Sequence, residues 1–173
     1  MFKKEVTTKL IGEYLDRYGW NSHRELPEPG EKEGLVGAGY NVGGEDHVMF
    51  IDPILEKNAV VFRVGAVASA PADSTASDRL NGLLLSMAAL NYKLILGHWA
   101  YDPRDGEVVF KASIPIDGGE LDYKQFEHCL LGVVAAVETD GRKLKGIVDG
   151  TIASDEVLKD EQLPLGGPVG TDT

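Results

Sequence analysis

Cysteine is almost absent from this chain, since Cys129 is the single one among 173 residues. An internal disulfide is therefore excluded, and a reducing, cytoplasmic location is the expectation. Long apolar runs are also missing, because no segment reaches the roughly 18 residues that a membrane-spanning helix needs. The first fifteen residues mix charged side chains into their apolar positions, which is not the pattern of a signal peptide. The sequence predicts a protein without membrane association.

Positive charge is scarce as well. The chain has 17 Lys and Arg against 28 Asp and Glu, which gives a formal net charge of −11. Nucleic acids and anionic membranes are bound by basic surfaces, and no run of Lys or Arg supplies one here. Neither is expected as a partner, whereas a basic or partly cationic partner stays open.

Sequence motifs of catalysis and cofactor binding are missing too. The chain has no GxSxG, no phosphate-binding GxxxxGK and no HExxH. The glycines between residues 37 and 44 have the wrong spacing for a dinucleotide-binding loop, and a strand pattern follows them where a helix is required. Four histidines stand singly and form no metal-binding pair: His23, His47, His98 and His128. We therefore assign no catalytic, cofactor-binding or metal-binding residue, expect no cofactor, and do not expect an enzyme.

What the chain does have is a clear alternation of helix and strand patterns. Apolar residues at spacings of three and four predict a first helix over residues 4–18, ended by Gly19. Residues 20–33 are interpreted as an irregular connection. Short connections between the next three apolar segments predict an antiparallel meander. Its strands are expected at residues 34–42, 47–52 and 59–69.

The second half repeats this alternation. A second helix follows residues 71–78, with Asp73, Ser74 or Ser77 as its N-cap. Residues 94–100 and 108–114 form a hairpin around a turn at 102–106, and Asp122 with Gln125 has the spacing of a capping box for a third helix. A short helix is expected near residues 142–148. The predicted class is α+β with the order α-β-β-β-α-β-β-α in residues 1–150, followed by an acidic tail without regular structure in residues 151–173.

The second helix carries no charge between Leu80 and Leu90. One apolar stripe consists of Leu80, Leu83, Leu84, Met87 and Leu90. Small residues line another side, where exposed helices usually carry long charged groups. Close approach of a second chain is one interpretation of this strip, and packing against the first helix or the long loop of the same chain is the alternative. The candidate dimer or partner interface consists of Gly82, Ser86, Ala89 and Leu85.

Four short segments stand out in the stretch from residue 90 to residue 130: 90–92 (LNY), 96–102 (LGHWAYD), 105–108 (DGEV) and 121–126 (LDYKQF). Through these segments the chain resembles the YbjN family, whose members are described as bacterial sensory transduction regulators and share the fold of type III secretion chaperones. By element order it covers residues 4–150. It implies a compact α+β domain that is often dimeric and not catalytic, and secretion chaperones of this fold bind extended segments of client proteins.

These observations lead to a functional hypothesis and its alternatives. The first is a non-enzymatic protein-binding module, chaperone-like or regulatory, which acts as a homodimer and binds an unknown client or regulatory protein. Its mechanism is burial of apolar client side chains, with strand addition at a sheet edge as one mode. The second is a small-molecule-binding or enzymatic domain with a pocket near the glycine-rich first strand. The third is a purely structural subunit of a larger assembly.

Overall fold

The computed structural model describes residues 6–27, 34–70, 77–116 and 120–160. These residues form five α-helices and six β-strands. In chain order the elements are α1 (Thr8–Tyr18), β1 (His23–Leu26), β2 (Leu35–Val42), β3 (Glu45–Ile54), β4 (Ala59–Ser69), α2 (Ser77–Lys93), β5 (His98–Tyr101), β6 (Glu107–Pro115), α3 (Tyr123–Ala136), α4 (Arg142–Asp149) and α5 (Ser154–Asp160). A short 3-10 helix at Leu55–Lys57 joins β3 to β4, and a π-helical turn at Val137–Gly141 joins α3 to α4.

The six strands form one antiparallel sheet in the order β1-β2-β3-β4-β6-β5. Strands β1 to β4 are a meander, and the hairpin of β5 and β6 adds to its far side. The connection between β2 and β3 is a two-residue turn in which Gly43 and Gly44 have φ angles of 61° and 87°. Two successive positive φ angles match the right-handed twist of a hairpin, and glycine adopts them without steric cost.

One face of the sheet is the hydrophobic core. The alternating residues Val60, Phe62 and Val64 of β4 and Val108, Phe110 and Ala112 of β6 are buried on this face. The buried residues of all five helices belong to the same cluster. The described helices therefore bury their apolar residues against one side of the sheet, and the other side of the strands faces away from this core.

Local sequence signals explain the ends of the helices. The hydroxyl of Thr7 accepts a hydrogen bond from the backbone N–H of Leu10 at 3.2 Å, and α1 ends at Gly19 with φ of 90°. Asp122 and Gln125 form the predicted capping box at the start of α3. The predicted short helix near residues 142–148 is confirmed as α4.

The predicted fold class and the antiparallel meander are confirmed, with three corrections. Residues 23–26, expected in an irregular connection, form the edge strand β1, which pairs with β2 from His23–Ala38 to Leu26–Leu35. Strand β3, expected to end before Pro53, continues through it to Ile54 and pairs there with β4. Its pairing with β2 ends at Ile51, so the backbone N–H that proline lacks is not needed for a hydrogen bond to β2.

The third correction concerns the segment from residue 151, which was expected to lack regular structure. Residues 154–160 form α5, whose Val157 is buried in the core. The helix lies on α2, where a Cβ atom at Gly82 would come within 2.6 Å of the Ser154 hydroxyl. Residues 161–173, and the candidate N-caps Asp73 and Ser74, lie outside the described residues.

Candidate functional site: the open face of the sheet

The four residues of the predicted interface do not share one environment. Gly82 is covered by Ser154, Ser86 is fully buried, and Ala89 is half-buried. Leu85 has 59% of its surface exposed. Gly82 thus contacts α5 of the same chain, which neither interpretation of the strip had named, while Leu85 lies on the outer face of α2.

That outer face of α2 is apolar. Leu84, predicted in the buried stripe, is exposed together with Leu85, and Tyr92 has 74% of its surface exposed. Just after the helix, Ile95 is fully exposed beside Leu131 of α3, and both line a concavity of about 640 Å³. We call Leu84, Leu85, Tyr92, Ile95 and Leu131 the helical patch. Exposed apolar residues grouped in this way are typical of surfaces that bind another protein.

A second concave surface lies on the open face of the sheet, where Lys145, Val148 and Asp149 of α4 form part of its border. Three concavities of about 400, 860 and 310 Å³ follow one another from β1 to β5. The first two share Val48 and Phe50, and the second and third share Glu107. Together they form one groove across the sheet, which we call the open-face groove.

The floor of this groove is apolar near β2 and β3. Val48 has 46% of its surface exposed, and Phe50 beside it on the same face is half-buried. Their register partners on β2 are Gly39 and Gly37, which carry no side chain to cover them. A Cβ atom at Gly37 would come within 3.0 Å of the Leu26 side chain and 3.9 Å of the Val48 side chain, so glycine at this position leaves room for both. The glycines of β2 therefore leave an apolar trough uncovered.

The middle of the groove is shaped by a β-bulge in β4. The register between β4 and β6 shifts between Val64 and Ala68, and Ala66 has a φ of 51°. The Glu107 carboxylate holds this backbone, because it accepts a hydrogen bond from the Ala66 N–H at 2.9 Å and from the Arg63 guanidinium at 2.6 Å. A positive φ at alanine costs about 1 to 3 kcal/mol, so the surrounding contacts must stabilise the bulge.

Charged pairs border the groove at its middle and at its β5 end. Lys145 of α4 donates to Glu45 of β3, and this hydrogen bond lowers the pKa of the Glu45 carboxyl. At the β5 end, Arg104 donates to Asp102 at 2.6 Å and lowers the pKa of that carboxyl to about 2. Both carboxylates stay ionised at neutral pH.

The polar groups near the glycine-rich strand are mostly occupied by the protein itself. His23 is 2.8 Å from the Asp16 carboxylate, and the Trp20 indole N–H donates to the Gly39 carbonyl at 2.8 Å. Burial raises the pKa of the Cys129 thiol to about 12, so this residue remains a neutral thiol.

In the described part of the chain, no three His, Cys, Asp or Glu side chains are grouped to hold a metal ion. No helix among the described residues is long and apolar enough to cross a bilayer.

Comparison with solved structures shows which fold this is. Crystal structures of YbjN, a candidate transcription regulator from E. coli, and of an uncharacterized protein from Methanothermobacter thermautotrophicus superpose with TM-scores of 0.54 and 0.53. The chain has the YbjN fold. Sequence identities are 15% and 16%, and the matches cover 80% and 79% of this chain and 96% and 94% of the others.

A third similar structure is a chain of the ExsC–ExsE complex, with a TM-score of 0.52 and 19% identity over 82% of this chain and 98% of that chain. No protein-family description and no curated protein sequence matches. The fold that the resemblance implied is confirmed by these three structures.

The sequence suggested a pocket near the glycine-rich first strand only within the second hypothesis, and it did not predict a groove that crosses the whole sheet. Residues 47–52 (HVMFID) have apolar side chains at both odd and even positions, so the pattern does not show which face of the strand is turned to the core. The absence of side chains at Gly37 and Gly39, opposite Phe50 and Val48, was the available signal, but it requires the register of β2 and β3.

Proposed function

We propose that this protein is a non-enzymatic, chaperone-like or regulatory module that binds an extended segment of another protein in the open-face groove. The observation that carries the proposal is the uncovered apolar floor of Val48 and Phe50 within a groove that crosses all six strands. Adjacent strands are about 4.8 Å apart, so the sheet is about 24 Å wide and matches about seven residues of extended chain. The structural similarity to a chain of a two-protein complex supports the same mode of action.

The shape of the groove favours a polypeptide over a small molecule. Small-molecule sites enclose most of the ligand surface and converge on a few polar groups. The concavity at the glycine-rich strand has about 400 Å³ and joins its neighbour through Val48 and Phe50. Its His23 is paired with Asp16. A long, partly apolar surface of this kind fits a chain that crosses it.

We further propose that the protein acts as a homodimer through the helical patch. Leu84, Leu85 and Tyr92 are exposed on α2, and the described part of this helix has no charged residue between Arg79 and Lys93. An uncharged helix face can pack against the same face of a second copy of the chain, and no charged side chain is then buried without a partner. The patch lies on the helical side of the molecule and the groove on the other side, so a dimer leaves both grooves accessible.

Replacement of Val48 by aspartate is expected to remove the protein partner. A carboxylate in the middle of the apolar floor would be desolvated by a bound segment, whereas the folded protein keeps it in water. The experiment compares proteins captured from the source cell by wild-type and Val48→Asp bait, with quantitative mass spectrometry. Leu55→Asp is the control, because Leu55 is also partly exposed but lies in the 3-10 connection.

The proposal expects a partner that wild-type and Leu55→Asp proteins enrich and the Val48→Asp protein does not. Circular dichroism must show that all three proteins are equally folded. A set of captured proteins that is the same for the three baits would contradict binding in the groove.

The dimer is tested by light scattering coupled to size exclusion. We expect the wild-type protein at about 10 µM to have twice the 18.7 kDa chain mass. Leu85→Glu should reduce it to the monomer mass, because two buried carboxylates would oppose each other across the two-fold axis. Leu55→Glu should leave the dimer intact. A wild-type mass of one chain at this concentration would refute the dimer.

A further inference from the structure

A row of basic side chains crosses the open-face groove of this acidic protein. The strand registers place one residue of every strand on a single line, in the order Arg24, Gly37, Phe50, Arg63, Lys111 and His98. The four polar members of this basic row are exposed or half-buried. The row is notable because the chain as a whole has a net charge of −11.

The row is unfavourable for the folded protein by itself. Arg63 is directly opposite Lys111, so two cations form a direct cross-strand pair. Like charges in direct cross-strand pairs destabilise a sheet. Glu107 compensates Arg63 at 2.6 Å, whereas neither Lys111 nor Arg24 forms an ion pair with another described residue. A lysine beside a second cation, with no ion pair of its own among the described residues, is suited to bind an anion supplied from outside.

The acidic residues of the same face lie off the row and are engaged. Asp46 accepts a hydrogen bond from Asn41 at 2.8 Å, and Asp102 is held by Arg104 at 2.6 Å. Asp52, opposite Val61 in the register, also has an interaction. Glu107 reaches the row through Arg63. Asp102 is held mainly by Arg104, and the charge of Lys111 makes only the last-ranked contribution to the lowered pKa of that carboxyl. The ammonium of Lys111 therefore remains available.

We propose that the basic row selects an extended segment of a partner protein that carries Asp or Glu side chains next to an apolar side chain. This inference rests on the proposed function and deepens it. The apolar side chain packs on Phe50, and a carboxylate binds Lys111. The two positions are two strand spacings, about 10 Å, apart, which corresponds to about three residues of an extended segment. Because the rest of the surface repels acidic chains, attraction is confined to the row and orients the segment.

The experiment measures fluorescence anisotropy of labelled twelve-residue peptides with the full-length protein. One peptide has Leu and Glu at suitable spacing, a second has Gln for every Glu, and a third has Lys for every Glu. We expect the Glu peptide to bind at least about tenfold more tightly than the Gln peptide, since a charge-assisted hydrogen bond contributes about that factor. The Lys peptide is opposite in charge to the protein as a whole and therefore tests for non-specific electrostatic attraction.

Variants separate the row from the overall charge. Lys111→Gln should weaken the Glu peptide about tenfold, and Lys111→Glu should abolish the preference for Glu over Gln. Lys9→Gln, on the exposed side of α1, changes the net charge by the same amount as Lys111→Gln and should leave the affinity for the Glu peptide unchanged. The melting temperature of both Lys111 variants should equal or exceed that of the wild type, because a like-charge pair is removed.

The outcomes distinguish this inference from the proposed function. Equal binding of the Glu and Gln peptides would overturn the basic row as a selector and leave groove binding intact. If neither the Glu nor the Gln peptide binds, the result would contradict both the basic row as a selector and peptide binding in the groove. Preference for the Lys peptide, or binding of a single-stranded oligonucleotide without the Glu peptide, would also overturn the inference.

Discussion

Substitution of Gly97 by alanine should destabilise the protein by about 2 to 5 kcal/mol. The left-handed backbone accounts for about 1 to 2 kcal/mol of this loss and overpacking for about 1 to 3 kcal/mol. Gly97 has a φ of 79° just before β5. A Cβ atom there would come within 2.6 Å of the Phe110 ring and within 2.8 Å of the Lys111 carbonyl oxygen. The carbonyl belongs to a paired strand and cannot move aside. Urea unfolding at one fixed protein concentration measures the loss.

Gly44→Ala is the matched control for this prediction. Gly44 has a similar φ of 87°, but a Cβ atom there meets no other atom within 4 Å. Only the backbone cost of about 1 to 2 kcal/mol should remain. Equal free energies of unfolding for the two variants would show that the contact at Phe110 and Lys111 contributes nothing.

Removal of the Phe126 ring should cost about 3 to 5 kcal/mol, the range for a large aromatic side chain in a core. Phe126 of α3 is fully buried. The centroid of its ring lies 5.4 Å from that of Tyr14 in α1 and 5.5 Å from that of Phe62 in β4. Its removal would leave a cavity where α1, α3 and the sheet pack together. The free energy of unfolding of Phe126→Ala, again from urea titration, tests the value.

Phe50→Ala serves as the comparison within the same residue type. Phe50 is half-buried on the open face, so its replacement should cost roughly 1 to 2 kcal/mol of stability. The same variant should lose most of the affinity for the Leu and Glu peptide, because the apolar contact in the groove is removed. A loss of stability as large as that of Phe126→Ala would mean that Phe50 belongs to the core rather than to a binding surface.

Elements with strong local signals were predictable. Helix α1 follows from its apolar spacing and Gly19, β4 from its run of Val and Phe, and the start of α3 from Asp122 and Gln125. The resemblance carried by residues 90–130 identified the fold that the similar structures confirm. Each of these signals lies within a few residues of the element that it predicts, which is why it can be recognised in the sequence.

Strand β1 and helix α5 could not be predicted in the same way. The four residues HREL have no alternating apolar pattern, and β1 exists because its backbone pairs with β2. Helix α5 has seven residues, too few to be stable alone, and it persists because Val157 enters the core and Ser154 packs on Gly82. The candidate interface changed for this reason, since α5 covers Gly82 and leaves Leu85 on the outer face of α2.

By itself the sequence determined the fold class, the single cysteine, the acidic charge and most helix and strand positions, because these depend on composition and local spacing. Tertiary structure alone decided which surface is open and what it carries. Arg24, Arg63, Lys111 and His98 are separated by up to 87 positions in the chain and meet on one line only through five strand pairings. A shift of one residue in any of these registers would turn the corresponding side chain to the other face of the sheet.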